Sequence, residues 1–278
     1  NGGKSESYAI VPDYYNGILP KVVAKVGEKV KAGSVLMIDK NRPEIKFVSP
    51  VSGEVTAVNR GEKRKVLSIV VKPDAQIEYE EFGKKNVASL QGAEVKEVLL
   101  NAGMWPFIKQ RPYDIVAAPL DTPRDIFVSA FYSAPLAPNF DFIVKGQEAD
   151  FQTGLNALAK LTNGKVYVGV RSGSVVSGMK GVEIVEVEGP HPAANVGVQI
   201  NHIKPVNKGE VVWTVNPADV IVIGRLFNKG VADFSRMVAI TGSETTERGY
   251  VKTISGCTIK SLVNGKVLGQ EHIRIISG

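Results

Sequence analysis

The residues best suited to do chemistry crowd into one run, residues 101–114, NAGMWPFIKQRPYD. Trp105, Phe107 and Tyr113 offer aromatic faces, and Lys109 and Arg111 offer two cations. Pro106 and Pro112 are expected to preclude a continuous helix or a central strand. The run is therefore read as a binding loop or as a wedge between domains.

Other chemical signals are weaker. Gly169, Gly173 and Gly178 do not have the G-x-G-x-x-G spacing of a dinucleotide loop, and no Walker A or G-x-S-x-G sequence is present. His191 stands between two prolines and reads as a rigid loop residue rather than a base. Cys257 is the single cysteine, which excludes a disulfide framework or a multi-thiolate cluster within this chain. With three histidines, a His-rich metal site is not expected. Lys40 follows Asp39 on a tight turn, an arrangement that resembles lipoyl and biotinyl carrier domains. The Asn41-Arg42-Pro43 continuation departs from that pattern, and only a shared barrel scaffold is expected.

The elements that must hold these residues follow from periodicity. Residues 46–73 read as two or three short strands, with turns at Ser49-Pro50, Ser52-Gly53 and Asn59-Arg60-Gly61. Residues 92–101 read as a short amphipathic helix. Strand 125–130, helix 149–161, strand 165–171 and strand 182–187 follow, which is the order of a parallel α/β unit. Ligands of such units lie beyond the carboxyl ends of the strands, here at Phe131-Tyr132-Ser133, Arg171-Ser172-Gly173 and residues 189–192. Residues 196–206, 210–216 and 219–227 read as three further strands. Residues 236–242 and 249–255, a helix at 257–265 and a strand at 272–278 give a β-grasp order.

The predicted fold is thus α+β and multidomain. Its parts are a barrel-sandwich-hybrid-like β domain at 1–75 completed by 205–228, a helical and aromatic linker at 76–114, a Rossmann-like α/β domain at 115–204, and a β-grasp, SLBB-like domain at 229–278. The net charge is +6, and residues 1–75 hold 13 Lys/Arg against 8 Asp/Glu. No aromatics interleave with the basic run Lys63-Arg64-Lys65, so no nucleic-acid partner is expected. No apolar run approaches the roughly 20 residues of a membrane span. The chain begins without Met, and the natural N-terminus is expected to lie upstream.

Several of these residues carry a family resemblance. They are Asp39-Lys40-Asn41, Ile45 through the SPVSG run to Gly53, the NRGEKR run at 59–64, Arg111-Pro112, His191-Pro192-Ala193, 213–216 and 220–227. Together they resemble the A subunits of the sodium-translocating NADH:quinone oxidoreductases, across essentially the whole chain. Family members continue past residue 278, so a C-terminal portion is expected to be absent. The family is similar to the flavin-bearing NADH-binding subunit of complex I and to the C subunit of the Rnf complex. Relatives of that kind have a glycine-rich flavin loop and a cysteine cluster. Here Met104, Trp105 and Phe107 stand where the loop would be.

The resemblance implies a peripheral subunit on the cytoplasmic side of the bacterial inner membrane. It implies docking on an integral membrane subunit, with the barrel and its basic run as a docking surface, and a share in ubiquinone reduction and sodium export. It further implies that NADH, flavins and iron–sulfur clusters sit on other subunits and that this chain binds no cofactor of its own. The expected quinone contacts are Trp105, Phe107, Arg111, Phe131 and Tyr132. The alternatives left open are a retained flavin or nucleotide site and a lipoyl- or biotinyl-like carrier scaffold.

Overall fold

A computed structural model of the chain describes residues 5–269 and 273–276. The N-terminal part is built from seven strands: β1 (Tyr8–Ile10), β2 (Pro20–Val22), β3 (Lys29–Val30), β4 (Val35–Asp39), β5 (Lys46–Val48), β6 (Gly53–Arg60) and β7 (Val66–Pro73). They form two antiparallel sheets, ordered β1-β7-β6-β3 and β2-β4-β5. Leu36, Phe47, Val55, Ile69 and Val71 fill the space between the sheets. The period-two apolar pattern of 46–73 therefore does what alternation requires, with one face packed and the other wet. The run NRGEKR forms the exposed tip of the β6–β7 hairpin, closed by Gly61 N donating to Lys65 O.

Lys40 is exposed on the turn after β4. That turn is fastened down. Asp39 is fully buried, accepts from the backbone N–H of Leu19 and Asn41, and pairs with Arg42 Nε at 2.8 Å. Arg42 also donates to the carbonyls of Val116 and Gly17. A carrier lysine must travel, and a turn bolted to the neighbouring unit is poorly suited to it.

The central unit contains α1 (Gly92–Asn101), β8 (Ile108–Arg111), β9 (Ile115–Val116), β10 (Ile126–Ser129), α2 (Phe140–Val144), α3 (Glu148–Ala159), β11 (Val166–Val170), β12 (Glu183–Glu186), α4 (Val196–Ile203), β13 (Val212–Val215) and α5 (Pro217–Lys229). Its sheet runs β12-β11-β10-β13-β8-β9. The first four strands are parallel, and β8 and β9 are antiparallel additions. β11 and β12, which follow α3, thus add on one side of β10, and β13 adds on the other. The order reverses between β10 and β13, and a crevice opens at such a point.

Three expectations need correction. Residues 219–227, read as a strand, are the core of α5. Asn216 caps it, accepting from Ala218 N–H at 3.0 Å; Pro217 opens it, and Gly230 closes it in the left-handed conformation. Residues 196–203, also read as a strand, form α4, whose Gln199 and Ile200 are buried. Residues 205–228 do not complete the N-terminal barrel. β13 is hydrogen-bonded to β10 and β8, and α5 lies on α3. A helix buried on every side, as α5 is from Val220 to Phe227, has no exposed polar face to reveal its period. The prolines at 106 and 112 likewise leave room between them for β8, which has partners on both edges.

Gly169 also has a plain structural reason. A Cβ there would stand 2.2 Å from Gln199 Oε1. Gln199 donates to Ser129 Oγ and Ala193 O, anchoring α4 on the end of β10.

The C-terminal part is the hairpin β14 (Ser235–Ile240) and β15 (Gly249–Ile254), followed by α6 (Ile259–Val263). The strand expected at 272–278 is not seen at 273–276, and the rest of that run lies outside the described residues.

Candidate ligand-binding cleft

A cleft of about 880 Å³ opens at the reversal between β10 and β13. All three parts of the chain line it. β8 supplies Lys109 and Arg111, and Phe107 just before it; the three alternate with Ile108 and Gln110 and so share one face. The segment following β10 supplies Phe131 and Tyr132. Thr214 and Val215 of β13, with Asn216 and Asp219 at the start of α5, form the floor. The N-terminal part adds Tyr15 and Phe47, and the C-terminal part adds Phe234 and Arg236.

The aromatics are held by packing. Tyr15 meets Phe47 edge to face at 4.8 Å, and Phe107 meets Phe234 edge to face at 6.1 Å. Arg171 lies over the ring of Phe131, 5.0 Å from its centre, and Phe131 also lines the cleft. Tyr132 Oη donates to Asn216 Oδ1 at 3.4 Å. Burial pushes the phenols of Tyr15 and Tyr132 up to about 12, with Asp219 adding to both. Both are therefore protonated donors across the ordinary pH range.

The charges are less evenly settled. Asp219 pairs with Arg236 Nη2 at 2.9 Å. Burial raises the Asp219 carboxyl above the usual range although Arg236 opposes the shift. Arg111 Nε stands 3.3 Å from Asp114 without the alignment of a hydrogen bond, and Arg111 Nε and Arg236 Nε are both buried without a hydrogen-bond partner. Burial lowers the amine of Lys109 below its ordinary value, against the pull of Asp114 and Asp219. A cleft with aromatic walls, protonated phenols and underused cations can hold a flat ring and donate to oxygens on its edge.

Phe107, Arg111, Phe131 and Tyr132 thus share one wall system. Trp105 does not. It is fully buried, its Nε1 donates to Ala117 O at 2.8 Å, and its ring meets Trp213 edge to face at 5.4 Å. It is a packing residue, because the short 3₁₀ turn at 105–107 directs it into the core while the next residues enter β8. Tyr15, Lys109, Asp219 and Arg236 are among the cleft residues that the sequence did not single out as ligand contacts. For Lys109 the signal was present, since it stands two residues from both Phe107 and Arg111. No helix among the described residues is long and apolar enough to cross a membrane.

Comparison with known proteins gives three family matches. Residues 1–74 match the NqrA N-terminal barrel-sandwich hybrid domain, residues 90–232 the NqrA second alpha/beta domain, and residues 237–278 the NQRA C-terminal domain, an SLBB domain. Among curated relatives, the A subunit of the Na(+)-translocating NADH-quinone reductase from Hahella chejuensis is 38% identical over 275 residues. Its counterparts from Neisseria meningitidis serogroup A and Photorhabdus laumondii are 35% and 36% identical over 274 residues. In each case the match covers 97% of this chain and 61% of the relative, so the chain spans about three fifths of their length.

Proposed function

The chain belongs to the NqrA family, and from that premise we propose that it is part of a peripheral subunit of a sodium-translocating NADH:ubiquinone oxidoreductase. It sits on the cytoplasmic side of the bacterial inner membrane, docks on an integral membrane subunit, and receives the ubiquinone ring in the cleft between β10 and β13. The partners are the other subunits of the complex, and the basic β6–β7 tip is offered as a docking surface. NADH, flavins and iron–sulfur clusters belong to those other subunits.

One observation carries the quinone reading: aromatic side chains and several underused donors from distant segments converge on one cleft at a strand-order reversal. The strand order β12-β11-β10-β13 also supports reading the unit as Rossmann-like, one half of a doubly wound sheet. The first turn beyond β10 is Ala130-Phe131-Tyr132-Ser133, where a phosphate-binding loop would need glycine for close backbone approach. That favours a flat ring over a nucleotide.

The test is the affinity of a short-tailed ubiquinone for the purified chain. Replacing Phe131 by alanine removes a ring face from the wall, and affinity is expected to fall about tenfold. Phe107→Ala is expected to act in the same direction. Unchanged affinity in both variants would remove the quinone from this cleft.

A further inference from the structure

We propose that Lys109 is the ligand-facing cation of the cleft, that its Nζ donates to a ring oxygen of the occupant, and that the site thereby favours an occupant whose oxygen is ionised. The assignment rests on the quinone reading above and adds to it a specific contact and a charge preference.

The charges around the wall do not balance. Lys109, Arg111 and Arg236 face Asp114 and Asp219, leaving one cation in surplus. Asp219 and Arg236 are matched at 2.9 Å, and Arg111 and Asp114 lie 3.3 Å apart. Lys109 is the one left over: its amine forms no hydrogen bond or ion pair with any described residue. Its contact is with the ring of Tyr15, whose centre is 5.2 Å from Nζ. That contact sets the amine over a ring face and leaves its N–H groups without an acceptor oxygen among the described residues.

The backbone fixes where the amine can go. Lys109 pairs with Thr214 on one side and Val116 on the other, in the middle of β8, and Thr214 itself lines the cleft. The side chain therefore emerges over the floor between Tyr15 and the start of α5. The groups facing it are Tyr15 from the N-terminal part, Arg111 and Asp114 from β8 and the turn after it, Tyr132 beyond β10, Asp219 from α5, and Arg236 from β14. Neither phenol ionises near neutral pH, so neither supplies a counter-charge. Burial weakens the hold of Lys109 on its proton more than the two carboxylates strengthen it. An anionic oxygen set against Nζ would supply the missing partner, and a neutral carbonyl would supply less of it. The first turns of α4 and α5 also line the cleft, adding partial positive charge from their backbone N–H groups.

Two naphthoquinones of similar size test the assignment by fluorescence titration of the full chain at pH 7.5. One is 2-hydroxy-1,4-naphthoquinone, which is ionised at that pH; the other is 2-methyl-1,4-naphthoquinone, which cannot ionise. The chain is expected to bind the ionised compound about tenfold more tightly. Lys109→Met is expected to abolish that preference, weakening binding of the ionised compound about tenfold more than that of the methyl compound. Lys109→Arg is expected to retain the preference. Lys109→Gln keeps a polar side chain without charge; it must show the same loss and carries the test if the Met variant does not fold. An anion preference that persists in the Met or Gln variant overturns the assignment. So does a wild-type chain that binds both compounds equally, although the quinone reading would then stand. If neither compound binds, the quinone reading itself fails and the assignment falls with it.

Discussion

Replacing Gly224 with alanine is expected to lower the unfolding midpoint by roughly 6–12 °C, from a stability loss of about 3 kcal/mol or more. α3 and α5 cross with two glycines at the contact. A Cβ at Gly224 would stand 1.7 Å from Asp150 O and 2.7 Å from Gly154 N. A Cβ at Gly154 would stand 2.1 Å from Val220 O. These neighbours are backbone atoms of a helix, which cannot turn aside as a side chain tip could. One added methyl must therefore separate two helices along their length. α5 carries Asp219 at its first turn, so the cleft should deform with it. Gly178 has nothing within 4 Å of its Cβ position, and Gly178→Ala is expected to leave the midpoint within about 1 °C. Thermal unfolding followed by circular dichroism distinguishes the two. Equal midpoints for both variants would mean that the helices are not in close contact.

Arg225→Met is expected to destabilise the chain by about 3–5 kcal/mol, the cost of leaving buried acceptors and carboxylates without their cation. The side chain is only 5% exposed. It donates to Asp233 O, Ser235 O and Ser235 Oγ at 2.8–2.9 Å and to Gln147 Oε1 at 2.6 Å. Asp150 and Asp233 lie 3.7 and 3.3 Å away. One side chain thus ties α5 to the start of α3 and to the segment leading into β14, which presents Arg236 to the cleft.

A pH signature accompanies this. Burial works to raise the Asp233 carboxyl, but Arg225 and the Ser235 hydrogen bonds outweigh it and hold the carboxyl below the usual range. A carboxyl with a depressed folded pKa gives stability above its unfolded pKa and loses it as pH falls through the folded value. Wild type should therefore lose stability on acidification below about pH 4 through this group. The Met variant, with the Arg225 part of that depression removed and the Ser235 and Lys229 parts kept, should lose less. Chemical denaturation at neutral and acid pH measures both effects. A Met variant with wild-type stability and the same acid response would contradict the role given to Arg225.

The sequence made some of this visible and hid the rest for physical reasons. α1 was legible because Val95 and Leu99 fall on one face with charged residues between them. α3 and β12 were legible because each keeps one period from end to end, and β10 and β11 because short β-branched and aromatic apolar runs read as buried strands. α5 was not, since tertiary burial removed the polar face that marks a helix, and its β-branched run imitated a strand. The cap signals Asn216-Pro217 and Gly230 were the better guide there. The cleft was half legible. The aromatic and cationic side chains crowded into 101–114 and the carboxyl end of β10 pointed to Phe107, Arg111, Phe131 and Tyr132. Asp219 and Arg236 could not be read, because they meet the other residues only after three separate parts of the chain pack together. Trp105 misled because an aromatic in a proline-bounded run looks alike whether it faces a ligand or a core.

The central claim is that a quinone ring enters the cleft between β10 and β13. The most direct measurement is photo-crosslinking of a photoreactive ubiquinone analogue to the assembled complex, with adducts mapped by peptide mass spectrometry. The account predicts adducts on the peptides bearing Phe107, Lys109, Phe131 or Tyr132, suppressed by excess ubiquinone. Labelling confined to the membrane subunits, with none on these peptides, would contradict it.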